Sequence, residues 1–227
     1  MTLSTLNQAG IVIEADDFGW HIPGNQTYNP VTHRVEKDWS QAAFFLAAAA
    51  IAGEVTLSGL NLDSPQGDKE VVDILRRFGA DITIMDDTVT CRKAPLHGIT
   101  IDATHIPDLV PILSVVAAYA EGDTHIVGAA RLRIKESDRL SAMANALSAI
   151  GGKVTEQPDG LIIHGGHPLV GGMADGCRDH RIVMSMAVAA LGCEQEVTVT
   201  DGESVGKSWP GFFEDFKAIG GNTSWVL

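Results

Sequence analysis

Cysteine is scarce: the 227 residues hold only Cys91, Cys177 and Cys193, widely spaced and without a Cys-x-x-Cys pair. An odd, scattered set argues against a disulfide framework and against a zinc site, and it fits a reducing, cytoplasmic setting. Cations are also few, with 16 lysines and arginines against 29 aspartates and glutamates, for a formal net charge of -13. Nucleic acid and anionic membranes both demand a basic face, so neither is expected as a partner. No apolar run approaches the ~20 residues that cross a bilayer. The longest, Ala42 to Ala52, reads as a buried helix. The start, Met1-Thr-Leu-Ser-Thr-Leu-Asn7, lacks the basic segment and apolar core of a secretory signal. Apart from His164 and His167 in a glycine-rich turn, the eight histidines show no ligand spacing, so no metal site is expected.

What is present in quantity is apolar surface, 45% of residues, enough to bury a full core. From Asp38 onward a unit of roughly 70 residues recurs three times. Each has an alanine-rich helix ending near a glycine, a strand, a loop, a second helix closed by glycine, and one or two short strands. The first runs through Glu54–Ser58, Glu70–Phe78, Ile82–Met85 and Val89–Cys91. The second runs through Leu109–Ala120, Thr124–Gly128, Leu140–Ile150, Lys153–Glu156 and Leu161–His164. The third runs through Ile182–Leu191, Glu196–Thr200, Phe212–Ile219 and Thr223–Val226. Written β-α-β-α-β-β, the units make one α/β domain over residues 38–227. Residues 1–37, with a helix-like Leu3–Gln8 and strand-like Ile11–Glu14 and Thr32–Glu36, hold too few apolar residues for a domain and are expected to belong to a neighbouring one.

Against the acidic background the cations are clustered. Arg131-Leu-Arg-Ile-Lys-Glu-Ser-Asp-Arg139 carries four of them and two carboxylates between a strand and a helix, with Ser137 or Asp138 as the helix cap. Lys135 and Arg139 then flank a helix start, where free N–H groups already favour anions, and Glu136 lies between them. Three other segments sit at helix starts: His105-Ile-Pro-Asp108, Arg178-Asp-His-Arg181 with Asp179 as the cap, and Gly206-Lys-Ser-Trp-Pro210 with Lys207 ahead of a helix begun by Pro210. Asp108 reads equally as a helix-start carboxylate or a general base. The glycine spacing around Lys207 excludes a nucleotide P-loop.

These segments, in this order and with Asp38-Trp-Ser-Gln-Ala-Ala-Phe-Phe-Leu46 and Gln66-Gly-Asp68, resemble the C-terminal half of 5-enolpyruvylshikimate-3-phosphate synthases. The resemblance implies a two-domain enolpyruvyl transferase fold, an inside-out α/β barrel with three such units per domain. It implies transfer of the enolpyruvyl group of phosphoenolpyruvate to the 5-hydroxyl of shikimate 3-phosphate, in aromatic amino acid biosynthesis, with no cofactor. Asp108 matches the residue proposed to accept the hydroxyl proton, and Glu136 the donor to the methylene carbon. Lys135 matches a lysine near shikimate 3-phosphate, and Arg139, Arg181 and Lys207 match cations that hold phosphoenolpyruvate. Arg131 stands where some members have an asparagine that contacts shikimate 3-phosphate. The family's N-terminal substrate-binding segments have no counterpart, so the missing N-terminal half is an expected partner and the chain is expected to be inactive alone. Two alternatives are a non-catalytic fragment or ligand-binding domain of this fold, and the related transferase acting on UDP-N-acetylglucosamine.

Overall fold

A computed structural model describes residues 1–226. The chain opens with α1 (Thr2–Gln8) and the antiparallel hairpin β1 (Glu14–Asp16) and β2 (Gly19–His21). The expected strand over residues 32–36 is not formed, and the one expected at Ile11–Glu14 shifts to Glu14–Asp16. Extended backbone becomes a strand only with a neighbour to take its hydrogen bonds, and residues 32–36 have none.

The repeat then begins. Asp38 caps α2 (Trp39–Ala52), its carboxylate accepting from the Ser40 N–H at 2.8 Å. β3 (Glu54–Ser58), α3 (Val71–Phe78), β4 (Asp81–Met85) and β5 (Thr88–Arg92) follow, the strands forming an antiparallel sheet in the order β3-β5-β4. The second unit has all six elements: β6 (Thr100–Asp102), α4 (Val110–Tyr119), β7 (Asp123–Val127), α5 (Arg139–Ala149), β8 (Lys153–Gln157) and β9 (Gly160–His164). Its sheet runs β6-β7-β9-β8, with β6 and β7 parallel. The third has parallel β10 (Gly172–Ala174) and β11 (Val197–Val199) around α6 (His180–Ala189), then α7 (Phe212–Ala218). The expected strand Thr223–Val226 is absent; Trp225 packs edge-on against Phe213 of α7 instead, with ring centroids 5.6 Å apart.

The first helix of each unit has no polar face. Every residue of α4 from Val110 to Ala118 is buried, as is all of α6 and nearly all of α2. Helices apolar all round cannot sit at a surface, so these three pack on one another as the centre of the domain. The second helices are two-faced: α3 buries Val71, Val72, Ile74, Leu75 and Phe78 and turns Asp73, Arg76 and Arg77 to water. The sheets likewise bury alternate residues, as in β7, where Thr124 and Ile126 point inward. Helices therefore lie inside and sheets outside. Just beyond each outer helix the chain reverses through a left-handed glycine, Gly79, Gly151 or Gly220, with φ of 107°, 98° and 105°. Among the described residues no helix is long and apolar enough to cross a membrane.

Candidate active site

The N-terminal ends of α2, α4, α5 and α6 meet at one end of the domain, and each delivers a polar side chain there. Pro107, with its fixed φ, opens a 3-10 turn (Pro107–Leu109) ahead of α4 and sets Asp108 at the helix entrance. Asp138 caps α5 by accepting from the Ser141 N–H at 3.2 Å, which makes Arg139 its first residue. Asp179 caps α6, accepting from the Arg181 N–H at 2.9 Å. The turn before it is strained, because Cys177 and Arg178 are both left-handed, with φ of 53° and 51°. Side-chain acceptors hold it: Asp175 takes the Cys177 N–H at 2.8 Å and Asp201 the Arg178 N–H at 3.0 Å. Lys207 ends a 3-10 segment, Gly202–Lys207, and α7 starts at Phe212 rather than at Pro210.

Arg139 is the centre of the arrangement. Its side chain is 1% exposed, and its guanidinium donates to three carboxylates: Asp179 from Nε at 2.8 Å, Asp108 from Nη1 at 2.9 Å and Glu136 from Nη2 at 2.7 Å. Asp179, fully buried, also accepts from the Ser137 hydroxyl at 3.0 Å. Asp108 is shared further, with Lys135 Nζ 3.4 Å from Oδ1 and Arg181 Nη2 3.3 Å from Oδ2. The same Nη2 of Arg181 also donates to the Ser40 hydroxyl at 3.0 Å. Lys207 Nζ donates to Glu136 Oε1 at 2.7 Å.

Burial of this kind raises a carboxylate's pKa unless cations answer it. For Asp108 burial is the largest influence, but Arg181, Lys135 and Arg139 together outweigh it and hold the group below its usual range. For Glu136 burial is again outweighed, by the Lys207 hydrogen bond and by Arg139, and it falls to about 2. Asp68 goes the other way: burial and then the charge of Asp108 push it up to about 6. Its neighbour Gly67 makes that approach possible, since a Cβ there would stand 2.9 Å from the His105 carbonyl oxygen. Burial and the charge of Arg181 keep His180 below its ordinary value, and its Nδ1, 3.7 Å from Asp179, has no hydrogen-bond partner among the described residues.

Of the residues singled out in the sequence, Asp108, Lys135, Glu136, Arg139, Arg181 and Lys207 come together in this one network. Arg131 does not: it is exposed, in a 3-10 segment (Ala130–Ile134), and makes no ion pair among the described residues. Arg133, from the same cationic stretch, turns away to bind Asp138, Glu156 and the carbonyls of Pro158 and Gln157 at 2.6–2.9 Å. It ties the segment to the β8–β9 turn. Sequence reasoning read Asp179 only as a cap, and gave Ser40 and Asp68, although they lie in the matching segments, no role of their own. A carboxylate placed between two arginines was the available signal for Asp179.

The chain matches the family described as EPSP synthase (3-phosphoshikimate 1-carboxyvinyltransferase) over residues 1–216. It is 48% identical over 229 residues to the 3-phosphoshikimate 1-carboxyvinyltransferase of Clostridium acetobutylicum, a match covering 100% of this chain and 53% of that protein. With the protein of the same name from Clostridium novyi it shares 45% over 222 residues, 97% of this chain and 51% of the other. Among solved structures, an EPSP synthase from Acinetobacter baumannii matches with a TM-score of 0.87 at 31% identity, over 97% of this chain and 54% of that one. The enolpyruvyl transferase NikO from Streptomyces tendae matches with a TM-score of 0.76 at 22% identity, over 97% of this chain and 52% of that one, which speaks for the fold alone. The chain thus spans about half the length of the curated relatives it matches.

Proposed function

The chain belongs to the EPSP synthase (3-phosphoshikimate 1-carboxyvinyltransferase) family and has the enolpyruvyl transferase fold, and from that premise we propose that residues 38–227 form one wall of an enolpyruvyl transfer site. Phosphoenolpyruvate is the donor and the 5-hydroxyl of shikimate 3-phosphate the acceptor. A companion N-terminal half supplies the facing wall, residues 1–37 belong with that half, and the cytoplasm is the site of action. One observation carries this reading. Two carboxylates able to move protons, Asp108 and Glu136, stand in a single network with Lys135, Arg139, Arg181 and Lys207, drawn from the second and third repeats.

The reaction needs such a set. Glu136 gives a proton to the methylene carbon of phosphoenolpyruvate, which leaves positive charge on the adjacent carbon. The 5-oxygen of the acceptor bonds there while Asp108, ionised and aimed by its three cations, takes the hydroxyl proton. The tetrahedral adduct then loses phosphate and returns a methyl proton to the ionised Glu136, restoring the double bond on the transferred group. Arg139, Arg181 and Lys207 hold the carboxylate and phosphate of the donor, so the anions are oriented without solvent reorganisation. Lys135 and, from the rim, Arg131 face the phosphate of the acceptor.

Phosphate release is the measurement. The chain alone should give none with both substrates, and mixing it with the N-terminal half of the C. acetobutylicum relative should restore it. Asp108→Asn and Glu136→Gln should each abolish the restored activity. Normal turnover by the chain alone defeats the one-wall reading, and a mixture that assembles yet stays inert defeats the reaction.

A further inference from the structure

Both oxygens of Glu136 are already taken. Oε1 accepts from Lys207 and Oε2 from Arg139, each at 2.7 Å. Charge-assisted bonds of this kind favour the ionised form, and a carboxylate so held has no proton to give at neutral pH. The donor role of Glu136 therefore requires its surroundings to change. The two cations differ in how they can respond. Arg139 is 1% exposed and also bound by Asp108 and Asp179, whereas the Lys207 side chain is 56% exposed and has Glu136 as its one carboxylate partner among the described residues. Of the two, Lys207 is the one an incoming anion can draw off Glu136.

We propose that a phosphate-bearing ligand draws Lys207 away from Glu136, and that Glu136 then takes up one proton from solvent, so that the acid is charged only when the ligand is in place. The exchange rests on the geometry of the pair, and only its purpose rests on the proposed reaction. Its sign follows from the groups around Glu136. Burial pushes the carboxyl up, and Lys207 and Arg139 pull it down. From α6, His180 senses its charge, and Asp179 acts through the shared Arg139, as Asp108 does from the entrance of α4. Removing Lys207 takes away its hydrogen bond and its charge and leaves Arg139, a backbone hydrogen bond and the burial. Bringing a ligand anion adds a like charge. Each step is worth about 1–3 pH units on a carboxyl.

The test uses the chain alone and sulfate, a tetrahedral dianion that does not titrate near neutrality, at constant ionic strength. With glutamate side chains labelled with carbon-13, the Glu136 carboxyl signal, assigned by its loss in Glu136→Gln, is followed against pH. Lys207→Met should raise its midpoint by about 1 unit or more without any ligand. Lys207→Arg, which keeps the pairing, should leave it low. Sulfate should raise the midpoint in the unaltered chain and much less in Lys207→Met, and calorimetry in buffers of different ionisation heat should show proton uptake that Glu136→Gln removes. A midpoint that ignores sulfate, whether sulfate binds elsewhere or not at all, overturns the proposal, as does one that ignores Lys207→Met. None of this needs turnover: transfer that fails while Glu136 responds refutes the assigned reaction, and transfer that succeeds while Glu136 does not respond refutes the exchange.

Discussion

In residues 1–37 only Ile11 is buried, and α1 buries nothing, whereas the chain from Trp39 onward encloses three whole helices. Phe18 and Trp20 lie 99% and 61% exposed, while Trp39 and Phe44, of the same residue types, are fully buried. Composition does not separate these aromatics; the number of apolar neighbours does. The join is polar. Gln66 donates to the Lys37 carbonyl at 2.9 Å and Asn61 to the Glu36 carboxylate at 3.3 Å, so the short stretch is tethered to the domain by hydrogen bonds rather than packed into it. The difference teaches that the free energy of folding resides in the second region, and that this region also holds charges whose fate depends on its remaining intact.

The comparison breaks first at Arg139. Arg139→Ala removes the guanidinium shared by Asp108, Glu136 and fully buried Asp179, and an uncompensated buried charge costs about 3–5 kcal/mol. Urea midpoints should fall accordingly. Leu113→Ala opens a cavity among the central helices, where Leu113 is fully buried, and should cost about 3 kcal/mol by the same measurement. A smaller effect, a few degrees of melting temperature, should follow pH in two directions. Glu136 and Asp108 titrate lower folded than unfolded; the stability Glu136 contributes is present above pH 4.5 and is lost as pH falls through about 2, and that of Asp108, present above pH 3.8, is likewise lost on acidification. Asp68 titrates higher folded than unfolded. Its contribution is complete below pH 3.8 and is lost as pH rises through about 6. Melting temperatures across this range should pass through a maximum, and Asp68→Asn should flatten its upper side.

Much of this was legible in the sequence. Helix starts are written in short-range chemistry, so Asp179, Pro107 and, beside Ser137, Asp138 could be read without a structure, and so could the glycines that close the outer helices. The gathering of Asp108, Glu136, Arg181 and Lys207 was legible only as a resemblance to a family, because the contacts join residues as far apart as Glu136 and Lys207, and no spacing rule reaches that distance. What misled was strand-forming composition. Residues 32–36 and 223–226 have suitable side chains, but a strand also needs a partner edge, which a local pattern does not report. Arg133 and Arg139 show the same limit: alike in sequence, one anchors a turn at the surface and the other is buried among carboxylates.

The smallest predicted effect sharpens the comparison most. Phe18→Ser combined with Trp20→Ser removes two large apolar groups, and in a core such a pair would unfold the domain. Here it should change the unfolding free energy from urea titration by no more than about 0.5 kcal/mol, because side chains that stand mostly in water lose little when they are shortened. A loss above about 1 kcal/mol would mean that residues 1–37 share the stability of the domain, and the tether through Gln66 would then be too weak a description of their join. Under the proposed function the same double substitution has a second reading. If these rings meet a companion half, the variant should keep its fold and yet need more of that half to recover phosphate release. Stability and assembly, measured on one variant, would then be separated by the exposure of two side chains.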